Sequence, residues 1–261
     1  MSTTTLAVPI RVDAAGVHAR PGLGRLVAVE LRKMVDTRAG FWLQVAMVAI
    51  TVVAVIVACV VGDAEDLTLR SVLDVGLQPA AVLLPVTGIL LVTSEWSQRT
   101  GLITFALVPQ RSRVLGAKLL ASLVLAVAML VMSVAVIAAG VLVASPGVDA
   151  TWSDAAPLIG QAAVYLTTGM VVGVAFGAVL RTSAPAIVSR FALPIAWSAV
   201  VSLPFFADIA PWVDTARALG RMSAEVLSPI EWAQAGTALA IWMLLPLLIG
   251  IWQITRREVA V

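Results

Sequence analysis

The stretch GFWLQVAMVAITVVAVIVACVV, residues 40–61, contains no charged side chain. As a helix it would be about 33 Å long, enough to cross the ~30 Å hydrocarbon core of a bilayer. Five further segments approach or meet the same requirement, near residues 75–92, 119–144, 157–180, 185–206 and 232–252. The composition of the whole chain matches: 261 residues, 61% apolar and 12% charged, with a mean hydropathy of +1.02. Soluble domains carry about 25% charged residues, so an ordinary cytosolic enzyme is excluded. Disorder is excluded as well, because it requires low hydrophobicity. The expected fold is all-α, a polytopic membrane protein with six transmembrane helices within residues 40–252, an N-terminal segment 1–39 and a short tail 253–261. The first apolar run is too long for the core of a cleavable signal peptide, so the first helix is expected to be retained.

The charged residues set an orientation. One face of a six-helix layout holds fourteen of the 17 cations: six before the first span (Arg11, Arg20, Arg25, Arg32, Lys33 and Arg38), Arg99, Arg111, Arg113 and Lys118 after the second, Arg181 and Arg190 at the fourth connection, and Arg256 and Arg257 after the last. The other face holds Arg70, Arg217 and Arg221 and ten of the 15 acids. The positive-inside rule then expects both termini in the cytoplasm. Topology thus accounts for a pI near 9.2, and nucleic-acid binding, which needs cations clustered on one face of a folded domain, is not expected. Fifteen of the cations are Arg and two are Lys, which together with abundant Ala and Val suggests a GC-rich bacterial genome. Arg190 falls about one and a half turns inside the fifth span. It either snorkels to the headgroups or acts as a functional intramembrane cation.

Two segments on the cation-rich side carry chemistry. Residues 22–38 read as an amphipathic helix, with Leu23, Leu26, Val27, Leu31 and Met34 on one face and Arg25 and Arg32 opposite, a pattern suited to the membrane interface. Glu30 lies on the apolar side of that helix, where an unpaired carboxylate is costly. It should meet a cation or a protein contact, or else reach water at the rim. The loop between the second and third spans, TSEWSQRTGLITFALVPQRSRVLGAK (residues 93–118), places Glu95 and Arg99 at the helical i, i+4 spacing. Leu102, Ile103, Phe105, Ala106, Leu107 and Val108 then make an apolar patch, and Pro109 ends the helical stretch ahead of Arg111 and Arg113. A short helix with apolar and cationic groups suits docking to a soluble partner.

In the fourth span Gly169, Gly173 and Gly177 recur every four residues, continuing a stripe from Gln161 and Tyr165. Small residues at that spacing permit close helix contact, within the subunit, in a dimer seam or along a substrate path. The outer loop, residues 207–231, can form an amphipathic helix over 215–227, and Trp212 and Trp232 fit an interfacial aromatic belt.

Taken together, Glu30-Leu-Arg32-Lys33 before the first span, Glu95-x-x-x-Arg99-Thr-Gly-Leu-Ile-Thr104-Phe105 after the second, and Pro109-x-Arg111-x-Arg113-Val-Leu-x-Ala-Lys118 leading into the third resemble a bacterial type-2 ABC transporter permease over nearly the whole chain. The resemblance implies a subunit of an exporter in the bacterial cytoplasmic membrane. It would pair with a second permease copy or a related permease and with two ABC ATPase subunits. The loop bearing Glu95, Arg99, Thr104, Phe105, Pro109, Arg111, Arg113 and Lys118 would act as a coupling helix seated in an ATPase cleft. Glu30, Arg32 and Lys33 would belong to the interfacial helix, and the outer loop would be partly re-entrant.

The chain contains no Gly-x-x-x-x-Gly-Lys-Ser/Thr phosphate loop, so ATP and Mg are expected in a partner ATPase and no cofactor or metal in this chain. Cys59 and His18 are each the only residue of their kind, and no catalytic constellation is expected. Scarce charge in mid-membrane favours an apolar or amphipathic cargo, such as a drug, a lipid or an antibiotic-like molecule. Two other classes compete. A non-transport scaffold or signalling protein would use the loop only to dock a partner, and a secondary transporter would need polar groups in discontinuous helices, for which Gln161 and Tyr165 are the candidates.

Overall fold

A computed structural model of the chain describes residues 22–62, 68–97, 111–144, 155–222 and 225–256. Regular structure among them is entirely helical. In chain order come α1 (Leu23–Asp36), α2 (Arg38–Val61), α3 (Leu69–Ser97), α4 (Arg111–Ala144), α5 (Ala155–Leu180) and α6 (Ser183–Val201). Two short helices, α7 (Ala210–Val213) and α8 (Thr215–Gly220), precede α9 (Pro229–Leu239), which continues through a π-helical turn, Ala240–Leu244, into α10 (Leu245–Arg256). Six stretches are long and apolar enough to cross a membrane: α2, α3, α4, α5, α6 and the α9–α10 unit.

The helices outrun the apolar segments that announced them. Glu95, expected in a loop, lies in the last turn of α3, and Arg111, Arg113 and Lys118 lie in the first turns of α4. Hydropathy ends a span at the first charge, whereas a helix ends only where its backbone ladder fails or its polar side chains lack partners. The fifth span errs the other way, stopping at Val201 instead of 206. Pro204 is the cause: the residue before a proline is driven out of the helical region, and Leu203 is extended at φ −63°, ψ 142°. Pro246 likewise accounts for the π turn, since it cannot donate to the helix ladder. Helix in the outer loop covers 215–220, less than the expected 215–227.

Packing is organised around α3 and α5. Gly173 sits against the backbone of Pro85 and Gly88 against that of Met170, so a Cβ at either would overlap a carbonyl oxygen. Gly177 approaches Ile89 in the same seam. The small-residue stripe of α5 therefore packs on α3 of the same chain. The central α3 window is 61% buried and the peripheral α6 window 11%, which leaves α2, α6 and α9–α10 to present apolar side chains outward. The amphipathic α1 lays Val27, Leu31 and Met34 on the bundle. It turns sharply into α2 at Thr37, whose hydroxyl accepts from Gly40 N at 3.1 Å, and Gly40 lies so close to the Met34 carbonyl that no side chain fits there.

Candidate functional site

At the end of the bundle where α3 stops and α4 begins, four side chains from three helices close into a ring of alternating charge. Glu30 of α1 receives Lys33 Nζ at 2.7 Å on one carboxylate oxygen and Lys118 Nζ of α4 at 2.7 Å on the other. Glu95 Oε1 of α3 lies 2.9 Å from Lys118 Nζ and 3.1 Å from Lys33 Nζ. The Lys118 ammonium also donates to the Leu91 carbonyl at 3.3 Å, so it combines hydrogen bonds to Glu30 and Leu91 with an ion pair to Glu95. The side chains of Glu30, Glu95 and Lys118 are all buried, and Lys33 is 37% exposed. Two positive and two negative charges cancel within the ring, which is how buried ions are tolerated at all.

The sequence places these residues without showing that they meet. Glu30 stands on the buried stripe of α1 one turn before Met34, and Lys33 follows it at i+3. Glu95 and Lys118 then arrive from the two helices that bracket residues 98–110. Burial lowers the ammonium pKa of Lys33, but the hydrogen bonds and charges of Glu30 and Glu95 outweigh it and hold the value above the usual lysine range. The signal that could have exposed the ring is compositional. Lys33 and Lys118 are the chain's only lysines against fifteen arginines. A compact ammonium fits between two carboxylates and a carbonyl where a planar, forked guanidinium would not.

The same end of α3 is fastened on its other side. Thr93 Oγ1 and Ser183 Oγ, at the start of α6, are 2.8 Å apart. Arg181 occupies the tight turn between α5 and α6 at φ +56°, a left-handed conformation uncommon outside glycine. Its guanidinium lies 4.9 Å over the Trp96 ring and donates to Gln253 of α10 at 3.3 Å. The last turns of α3 thus tie together α1, α4, α6 and α10.

At the opposite end the chain after α6 folds back onto the bundle. Buried Gln161 of α5 donates to the carbonyls of Met222 at 3.2 Å and Glu225 at 2.6 Å and accepts from Leu227 N at 2.8 Å. Trp197 of α6 and Trp242 of the π turn both donate to the Val213 carbonyl, at 3.2 and 3.0 Å. Buried Asp214 caps α8 through Ala216 N at 2.9 Å and accepts from Ser198 Oγ at 2.7 Å. Trp197 and Gln161 both sit more than a turn inside their helices, so α7 and α8 dip alongside the spans.

The remaining predicted residues separate clearly. Arg32 is exposed and pairs loosely with Asp36 at 4.0 Å, away from the ring. Arg113 is half-buried at the start of α4. Arg99, Thr104, Phe105 and Pro109 lie outside the described residues, as does the side chain of Arg111. Arg190, for which snorkelling and an intramembrane role were the two expectations, is half-buried and lines a cavity beside Tyr165. Among the described residues no group of His, Cys, Asp and Glu could hold a metal ion. No protein-family model and no curated protein matches the chain, so the residues themselves must carry the functional argument.

Proposed function

We propose that this chain is the membrane-spanning subunit of an ATP-driven exporter of the type-2 ABC permease kind, moving an apolar or amphipathic cargo out across the bacterial cytoplasmic membrane. It works beside a second permease, with both termini in the cytoplasm and α1 in the interface. Two separate ABC ATPases hydrolyse the ATP. The observation that supports this reading above others is that Glu95 and Lys118, on either side of residues 98–110, share α1 through Glu30 and Lys33. A segment pushed by an ATPase would then displace three helix ends as one body, and the Thr93, Trp96 and Arg181 contacts would carry that displacement to α6 and α10. Coupling of this sort requires each side to favour a different global state, and a rigid, fully paired knot at the input transmits motion without dissipating it.

The test uses the full chain purified with the ATPase that copurifies with it, in nanodiscs. Replacing Leu102 and Phe105 with Ser removes the apolar part of the expected docking segment while leaving the ring intact. Hydrolysis should lose its dependence on the permease and on cargo, with membrane insertion and thermal stability of the chain unchanged. Hydrolysis that remains equally permease-dependent in the double variant overturns the reading.

A further inference from the structure

Arg190 is the eighth residue of α6, about 10 Å along the helix from Ser183. Arg190 lines a cavity of about 40 Å³ among α3, α5, α6, α8, α9 and the π turn, room for a few atoms beyond water. The walls are mostly apolar, among them Leu166, Phe176, Leu219 and Trp242. The lining residues with polar side-chain groups are Arg190, Tyr165, Thr215 and Trp242, whose indole N–H is taken by the Val213 carbonyl. Arg190 Nε is fully enclosed and has no hydrogen-bond partner. The Phe191 ring lies 5.4 Å from the guanidinium carbon, and among the described residues Arg190 makes no ion pair.

A cation held in an apolar cavity without a counter-charge is costly, and within a membrane such a residue marks a binding site unless the protein neutralises it. Here the lining presents donors and no anion. We propose that this cavity is a binding site for the carboxylate of an amphiphile, with the headgroup beside Arg190, Tyr165 and Thr215 and the tail outside the cavity, against the apolar outer surface of the helices. The planar fork of a guanidinium matches a carboxylate in two parallel hydrogen bonds. The small volume favours a carboxylate over a substituted phosphate. The site needs no ATPase and stands whether or not the chain is a permease.

The decisive measurement is binding of tritiated oleate to the full chain in phosphatidylcholine nanodiscs at mildly alkaline pH, followed by competition. One saturable site per chain is expected, displaced by unlabelled oleate but not by methyl oleate, which has the same tail and no charge. Arg190→Gln should weaken binding roughly ten- to a hundred-fold, the loss of a charge-assisted pair, and Arg190→Lys should recover part of it. Displacement by methyl oleate equal to that by oleate overturns the proposal and needs no variant that could misfold. Stoichiometric displacement by phosphatidylglycerol also overturns it, because the occupant would then be a bilayer headgroup phosphate.

Discussion

Lys118 is buried and Arg190 half-buried in one helical bundle, and their surroundings are opposites. Lys118 has two carboxylates within 2.9 Å and donates to a backbone carbonyl as well. Arg190 has a phenyl ring, a phenol and an unsatisfied nitrogen. A cation paired by the chain's own carboxylates is a structural fastening, and its site has no vacancy for a ligand. A cation that the fold encloses but leaves unpaired is poised for an anion from outside. Under the proposals above, the first kind would transmit force and the second would recognise a molecule.

The comparison breaks most visibly at Lys118. Lys118→Met leaves Glu30 and Glu95 buried with only Lys33 between them, which should cost about 3–5 kcal/mol. Thermal unfolding in detergent, followed by loss of the monodisperse peak, reads that cost. Lys118→Arg should be destabilising as well, because the guanidinium is too broad for the place the ammonium fills, and a Lys118→Arg chain as stable as the parent would remove the argument from lysine usage.

A smaller effect is expected at Lys33, whose side chain is 37% exposed and whose pairs are therefore partly screened. Lys33→Gln should cost less than about 1 kcal/mol at neutral pH. A lysine whose pKa is raised on folding contributes fully below its unfolded value of 10.5 and loses that contribution as pH rises through the folded one. The difference in unfolding temperature between parent and Lys33→Gln should thus be constant across the neutral range and close only above pH 10.5.

The smallest effect, and the one of opposite character, is expected at Arg190. With no ligand present, Arg190→Gln removes an uncompensated charge, so in neutral-lipid nanodiscs the unfolding temperature should be unchanged or raised. A destabilisation as large as that of Lys118→Met would show that Arg190 is paired within the protein and would erase the contrast.

Much of the fold is legible in the residues because a bilayer imposes one simple demand. An uncharged run such as 40–61 is suited to span, and six predominantly apolar runs correspond to six helices long enough to cross a membrane. The helix ends are less legible. Glu95 and Lys118 read as loop residues because each alone is incompatible with a span, and only their mutual neutralisation lets α3 and α4 extend through them. Glu30 shows the same limit: its place on an apolar stripe requires a partner, but nothing in the order of residues says that the partner stands 88 positions away. The glycine stripe announces close packing, while the choice of Pro85 and Ile89 as its counterpart comes from the way α3 and α5 cross.

What the sequence determined by itself is the apolar character of the chain and the six helices long enough to cross a membrane, since each follows from local composition and the cost of burying charge. The tertiary structure decided which charges meet. Two lysines and two glutamates became a closed ring while Arg190 was left facing a cavity, because pairing depends on distances of about 3 Å between residues far apart in the chain. Hydropathy fixes how deep a helix sits; only packing fixes which of its faces meets a neighbour.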